Sequence, residues 1–357
     1  MNIQMDKFTA SFAANEAGAR LQPFTIERRP VGSRDVQIEI DYCGVCHGDL
    51  HFINDDFGMS TYPMVPGHEI IGKISALGNA VDDLTVGQRV GVGFLVGSCR
   101  ECDACHANLE QYCTSFTLTY GWPTEDPGGL TFGGYSKRIV VDRDFVLTIP
   151  ENLDPIGTAP LLCAGITTYS PLAHWKVGSG MTVGVIGLGG LGHMGIKFAH
   201  AMGARVVMVT TSAHKASDAK RLGADDVLLS TDEHAMKAWT GQFDFLLNTI
   251  PVSHDFDPYI ELLRIDATMC IVGALDPTAQ LNTVPLIFAR RRVAGSLIGG
   301  LKETQEMLDF SGRHSVVSDV EVIDMASIHD AYTRMQRGDV KYRFVIDLAT
   351  LSDQPAK

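Results

Sequence analysis

Apolar and polar positions alternate in two distinct ways along the chain. From Phe8 to about Pro150, short β-type runs are separated by Gly, Pro and Asp turns. Val36–Tyr42 (VQIEIDY), Ile70–Ile74 and Arg138–Val141 are examples. This pattern predicts a β-rich lobe. The texture changes near Pro160. From residue 181 the pattern predicts strand 181–187, helix 191–204, strand 205–211 and helix 213–224. Further strands are predicted at Val227–Leu229, Phe243–Ile250, Ala267–Ala274 and Val293–Ile298. Such alternation predicts an α/β unit with a parallel, doubly wound sheet. Helices at 302–310 and 326–337 and a strand at 342–348 follow, and this tail is expected to return to the first lobe. The expected domains are therefore 1–162, completed by 302–357, and 163–301.

Composition narrows the function classes. The 357 residues are 45% hydrophobic and 20% charged, as in an ordinary globular protein, and the net charge is −13. An acidic surface opposes nucleic acid and anionic lipid as main partners. The first twenty residues lack the basic start and apolar run of a secretory leader, and no stretch is long and apolar enough to span a bilayer. The cytosol is the expected compartment. There, eight cysteines read as metal ligands, reactive groups or buried thiols rather than disulfides.

Gly187-Leu188-Gly189-Gly190-Leu191-Gly192 matches G-x-G-x-x-G between a predicted strand and a predicted helix. In that context the glycines allow a tight turn and let backbone N–H groups approach a pyrophosphate at a helix N-terminus. The competing reading is a Gly-rich structural turn. An NAD site places an acidic residue about 20 residues further on, to hold the ribose 2′-hydroxyl. Here the chain reads Val209-Thr210-Thr211-Ser212-Ala213-His214-Lys215, with no carboxylate. Hydroxyls and Lys215 suit the 2′-phosphate of NADP(H). The alternative is a polar loop with a solvated lysine.

Cys99, Cys102, Cys105 and Cys113 form C-x2-C-x2-C-x7-C. Four thiolates so close suit tetrahedral Zn²⁺, and with no open position the site reads as structural. An iron–sulfur site and unpaired thiols are the competing readings. A second, dispersed set comprises Cys43 to His51 (CGVCHGDLH), Gly67-His68-Glu69 and Leu162-Cys163. A catalytic zinc takes three protein ligands and keeps one position open, which Cys46, His68 and Cys163 are able to supply. From spacing alone a lone cysteine such as Cys163 is more often a buried thiol, Cys43 and Cys270 read as buried thiols, and His47 reads equally as a surface residue.

Taken together, these motifs resemble those of the zinc-dependent medium-chain alcohol dehydrogenases, most closely the cinnamyl alcohol dehydrogenase branch. The resemblance rests on CGVCHGDLH (43–51), VPGHEIIG (65–72), the four-cysteine loop, APLLCAGITTYSPL (159–172), VGVIGLGGLGHMGIK (183–197) and RGDVKYRFVID (337–347). It implies a Rossmann domain joined to a β-rich GroES-like catalytic domain. It also implies that Cys46, His68 and Cys163 hold a catalytic zinc, with Glu69 beside it and able to enter its shell in the resting state, and Asp49 orienting its ligands. The implied nucleotide positions are the glycine loop, Thr210 to Lys215 (Thr210, Thr211, Ser212 and Lys215 foremost), Thr167, Thr249, Gly273, Ser296, Leu297 and Ile298. A homodimer or dimer of dimers is implied, with the strand near 293–300 at the interface.

One position departs from the family. A Ser or Thr hydroxyl that passes a proton from the substrate oxygen towards His51 is replaced by Gly48. Either an ordered water fills the gap, or the substrate is an imine or activated C=C bond with another proton route. The expected chemistry is zinc-assisted hydride transfer between NADP(H) and an aldehyde or alcohol. The family implies an apolar pocket for cinnamyl, benzyl or medium-chain aldehydes. Phe52, Phe57, Met59, Phe94, Trp122 and Leu297 are candidate walls, each also readable as core. A zinc-ribbon binding module and a catalytically silent nucleotide-binding protein are the rivals from other classes.

Overall fold

A computed structural model describes residues 7–273 and 281–352 of the chain. The chain divides into two compact units, residues 1–163 with 300–357, and residues 164–299.

The first unit holds strands β1 (Phe8–Ala13), β2 (Gln22–Glu27), β3 (Asp35–Val45), β4 (Ile70–Leu77), β5 (Arg89–Val92), β6 (Leu95–Gly97), β7 (Thr117–Leu118), β8 (Arg138–Asp142) and β9 (Leu147–Thr148). β1–β2 and β6–β7 form separate two-stranded sheets, and the tail adds β16 (Val320–Asp324) and β17 (Arg343–Asp347) to the main sheet, in the order β16-β17-β3-β4-β5-β9, with β8 also paired to β3. Val36, Ile38, Val45, Ile70, Ile71, Val90, Val92, Val345 and Ile346 are buried within it. Each such side chain stabilises the fold by roughly 1.5–3 kcal/mol.

This sheet delivers the chemistry-bearing residues to one place. β3 ends at Val45, one residue before Cys46, and β4 begins at Ile70, one residue after Glu69. Pairing of Phe344 with Val45 brings the start of β17, Arg343, to the same end of the sheet. A 3-10 turn over Ala159–Leu162, wholly buried, leads into Cys163.

The second unit is built on β10 (Thr182–Ile186), β11 (Arg205–Thr210), β12 (Asp226–Leu229), β13 (Phe243–Asn248), β14 (Leu263–Ile271) and β15 (Arg292–Gly295), all parallel, in the order β12-β11-β10-β13-β14-β15. That is the Rossmann order, whose crevice opens where the order reverses, between β10 and β13. Val207, Val209, Phe243, Leu246, Leu263 and Met269 belong to one buried cluster under this sheet.

Strand ends differ from the periodicity in places. β14 begins at Leu263, earlier than expected, because the exposed residues Arg264–Asp266 extend it beyond its apolar stretch. The expected end at Ala274 lies outside the described residues. β15 stops at Gly295, and Ile298 takes a positive φ of 33° that ends any extended run. Two helices have no clear signal in the sequence. His47–Asn54 contains Gly48 and is capped by a cysteine. Ala164–His174 contains Pro171 and the β-branched Ile166, Thr167 and Thr168. Among the described residues no helix is long and apolar enough to cross a membrane.

Candidate active site

The helix His47–Asn54 starts with a reciprocal cap. The Cys46 thiol accepts from Gly48 N–H (3.4 Å), and the Asp49 carboxylate accepts from Cys46 N–H (2.9 Å). Asp49 therefore turns inward and is fully buried. Its Oδ1 accepts from Gly67 N–H and contacts His68 Nδ1, both at 3.1 Å, while Oδ2 accepts from the Tyr135 hydroxyl at 3.3 Å. With Nδ1 fixed on the carboxylate, Nε2 of His68 is left free to act as a ligand.

The donor atoms of Cys46, His68, Glu69 and Cys163 all lie within 4.8 Å of one another. Cys46 and Cys163 are both free thiols with sulfurs 3.9 Å apart. A tetrahedral zinc with Zn–S bonds of about 2.3 Å sets its sulfurs about 3.8 Å apart, so the thiol pair fits the ion. The Cys163 contact, and the charges of Arg343 and His68, outweigh burial and draw Cys46 towards thiolate. Glu69 is fully buried. One of its oxygens pairs with Arg343, and the other, Oε2, has no hydrogen-bond partner. Burial pushes the Glu69 carboxyl up to about 7, against the pull of Arg343. Burial also opposes the Arg343 charge, but Glu69, Cys46 and Cys163 outweigh it and raise its pKa. A buried, half-satisfied carboxylate beside two thiols and an imidazole suits a cation.

Gly48 lies against this cluster. A Cβ there would sit 3.6 Å from Cys46 Sγ and 3.6 Å from His68, an ordinary contact, so packing does not require glycine. His51 is partly exposed and its Nδ1 meets Asp56 Oδ2 at 2.6 Å. The Phe94 ring stands edge-on to His68 at 5.3 Å between centroids. Phe52 is core, edge-on to Tyr120 and Phe57, whereas Phe57, Met59 and Leu297 are exposed and Trp122 is half-buried.

The four-cysteine loop gathers a second set. Cys99 lies 3.9 Å from Cys105 and 3.5 Å from Cys113, and Cys113 Sγ accepts backbone N–H bonds from Cys99 and Ser115. All four sulfurs fall within 4.8 Å of one another. The spacing fits one tetrahedral ion.

In the second unit the three motif glycines do different work. Gly187 has φ +92°, a Cβ at Gly192 would collide with the Gly187 carbonyl, and a Cβ at Gly189 would meet nothing within 4 Å. They form a turn, a close strand–helix contact and an open approach, respectively. The helix Gly192–Ala201 has no side chain capping its N-terminus, which suits a phosphate. Gly190 and Leu191 complete the loop. Lys215 reaches over it, donating to Leu188 O at 2.9 Å, and Thr210 Oγ1 accepts from Ser212 N–H. Thr211 at the strand end is exposed. Thr249 donates to Ile186 O at 2.8 Å, and Gly273 lies so near Ile250 O that a side chain would clash. Ser296 N–H donates to Ile271 O, and Thr167 is buried in its helix.

Sequence reasoning missed Arg343, Tyr135 and Tyr332. Arg343 lay in the RGDVKYRFVID motif, at one of the two charged ends of the strand Arg343–Asp347, with nothing to mark it as the partner of Glu69.

Comparisons with known proteins identify the family. The profile of the alcohol dehydrogenase GroES-like domain matches residues 32–151, and that of the zinc-binding dehydrogenases matches residues 190–313. The chain is 52% identical to aldehyde reductase YahK of Escherichia coli K12, over 95% of this chain and 98% of that protein. It belongs to the zinc-dependent medium-chain alcohol dehydrogenases, in the cinnamyl alcohol dehydrogenase branch. Within that branch, a cinnamyl alcohol dehydrogenase of Sorghum bicolor superposes with a TM-score of 0.93 at 41% identity, over 98% of this chain and 100% of that one. The Helicobacter pylori enzyme, solved in complex with NADP(H), gives 0.89 at 39% identity, with the same coverage. An alcohol dehydrogenase or aldehyde reductase activity follows from this membership.

Proposed function

We propose that this dehydrogenase is an NADP(H)-dependent reductase of aromatic (cinnamyl, benzyl) or medium-chain aldehydes, with one catalytic and one structural zinc per chain. The observation that carries the reading is the meeting of Cys46, His68 and Cys163 donor atoms with Glu69 tied back by Arg343. This arrangement offers three ligands and one position for substrate. Cys99, Cys102, Cys105 and Cys113 are the structural set. When bound, zinc supplies Lewis acidity at the carbonyl oxygen and the nicotinamide supplies hydride.

The chain's own residues do the rest. Asp49 fixes the His68 ring, and Arg343 compensates Glu69. Lys215 and the hydroxyls of Thr210, Thr211 and Ser212 receive the 2′-phosphate, and Gly187 to Gly192 receive the pyrophosphate. The NADP(H) complex of the Helicobacter pylori relative supports this choice of cofactor. At Gly48 a water takes the place of the relay hydroxyl, and His51, held by Asp56, returns the proton from solvent. Phe94, Phe57, Met59 and Trp122 offer the apolar surface for the substrate. Reduction of an imine or activated C=C bond has only Gly48 in its favour and is not proposed.

We place the enzyme in the cytosol, where its eight free cysteines stay reduced. It assembles as a homodimer through the sheet-edge strand β15, beside which Ile287 and Phe288 are exposed by 74% and 87%. The deciding experiment is the initial rate of NADPH oxidation with cinnamaldehyde, with NADH in parallel and a metal-stripped control. Fast, zinc-dependent turnover favouring NADPH is the expected result. No turnover with zinc and NADPH bound refutes carbonyl reduction.

A further inference from the structure

Asp49 is the hub of the zinc-ligand cluster, and its fourth donor comes from outside that cluster. The Tyr135 hydroxyl donates to Asp49 Oδ2 at 3.3 Å, and in turn accepts from the Tyr332 hydroxyl, also at 3.3 Å. Tyr332 lies 197 residues further along, on the helix Ile328–Gln336 of the tail. Tyr135 is 0% exposed and Tyr332 5% exposed. Burial, and then the Asp49 charge, hold both phenols well above their ordinary pKa, so both carry their protons.

We infer that Tyr135 and Tyr332 are positioning residues for the metal site. They form a hydrogen-bonded chain through which the tail helix fixes Asp49, and so sets how tightly Cys46, His68 and Cys163 hold zinc. The inference rests on the zinc reading above.

Two effects oppose each other when the chain is cut. Losing the Tyr135 donor leaves more charge on Asp49 to polarise His68, which favours the metal. It also leaves the buried Oδ2 with Cys46 N–H as its one remaining donor, so that side of the carboxylate is held less firmly. The Asp49–His68 contact, at 3.1 Å, is already longer than the roughly 2.7–2.9 Å typical of charge-assisted bonds. Orientation is what this contact lacks most, so geometry decides the sign and the metal is held less tightly.

The test is zinc release from the holoenzyme to a chromophoric chelator, with the four-cysteine zinc as internal control. Tyr135→Phe should release the Cys46/His68/Cys163 zinc about 10-fold faster, the lower end of the effect of losing an outer partner. Tyr332→Phe should release it about 3-fold faster, the scale of one neutral hydrogen bond. The double variant should match Tyr135→Phe, because Tyr332 acts only through Tyr135. The four-cysteine zinc should leave at the wild-type rate in all three. Additive losses, unchanged rates, or equal acceleration at both zincs overturn the inference. Should Tyr135→Phe not fold, Tyr332→Phe decides alone, and a wild-type release rate there overturns it. A wild-type enzyme that holds zinc only at the four-cysteine loop overturns the zinc reading and this inference together. A wild type that holds both, with variants like it, overturns the inference alone.

Discussion

Arg343 pairs with Glu69 in full burial behind Cys46, His68 and Cys163. Arg343 opens β17 and Glu69 immediately precedes β4, the two strands that flank β3, and a methyl at Gly44 would collide with the same carboxylate. The pair ties one oxygen of Glu69 to Arg343 and leaves the carboxyl beside Cys46, His68 and Cys163.

Removing the arginine should therefore be costly. Arg343→Met removes the cation that opposes burial at Glu69, so the carboxyl, already at about 7, should take up a proton, and the stability lost should grow as pH rises above 7. Arg343→Met with Glu69→Gln should recover much of it, since no unpaired charge remains. Denaturant unfolding of the single and double variants measures both. A single variant as stable as wild type contradicts the pairing.

Gly48→Ser should be tolerated structurally, because its Cβ meets only 3.6 Å contacts. If a water now carries the proton, a fixed hydroxyl should raise kcat for aldehyde reduction about 10-fold, below the full range of general acid catalysis. Melting temperature should hardly move. The check is kcat together with its solvent isotope effect. A lower kcat would show that the water route is the better one in this chain.

Lys215→Ala should act on the 2′-phosphate alone. Losing one charge-assisted bond, about 1.5–3 kcal/mol, should raise KM for NADPH on the order of 10- to 100-fold and leave NADH nearly unchanged. The ratio of kcat/KM for the two cofactors is the readout. Equal losses with both would place Lys215 in loop packing, through its bond to Leu188 O.

Cys105→Ser should remove one zinc per chain and lower the melting temperature, while the Cys46 cluster keeps its metal. The loop also carries Glu110, whose carboxylate accepts from Leu301 N–H at 3.0 Å at the start of the helix Leu301–His314. Loosening the loop should thus fray that helix, and hydrogen exchange at Leu301 should rise. Protection unchanged after zinc loss would separate the two.

Local features were legible in the sequence for a physical reason. The glycine loop works through backbone φ and close approach, so Gly187, Gly189 and Gly192 must stand at fixed spacing within one strand–helix turn. The four-cysteine loop closes over a few residues, so its ligands must be neighbours in the chain. Lys215 and the absent acidic residue follow directly from the end of β11. The alternation of apolar strands with helices likewise announced the parallel sheet.

The metal cluster was different. Cys46 and Cys163 are 117 residues apart, and Glu69 and Arg343 are 274 apart. None has a periodicity of its own, and spacing alone left Cys163 readable as a buried thiol, so the family resemblance singled out the ligand set. Their meeting depends on where β3, β4 and β17 end in one sheet, and on a buried turn that places Cys163. Tyr135 and Tyr332 are more hidden still, because in sequence a buried tyrosine reads as core. Which hydroxyl it touches is decided by tertiary packing, where a polar atom taken from water must find a partner.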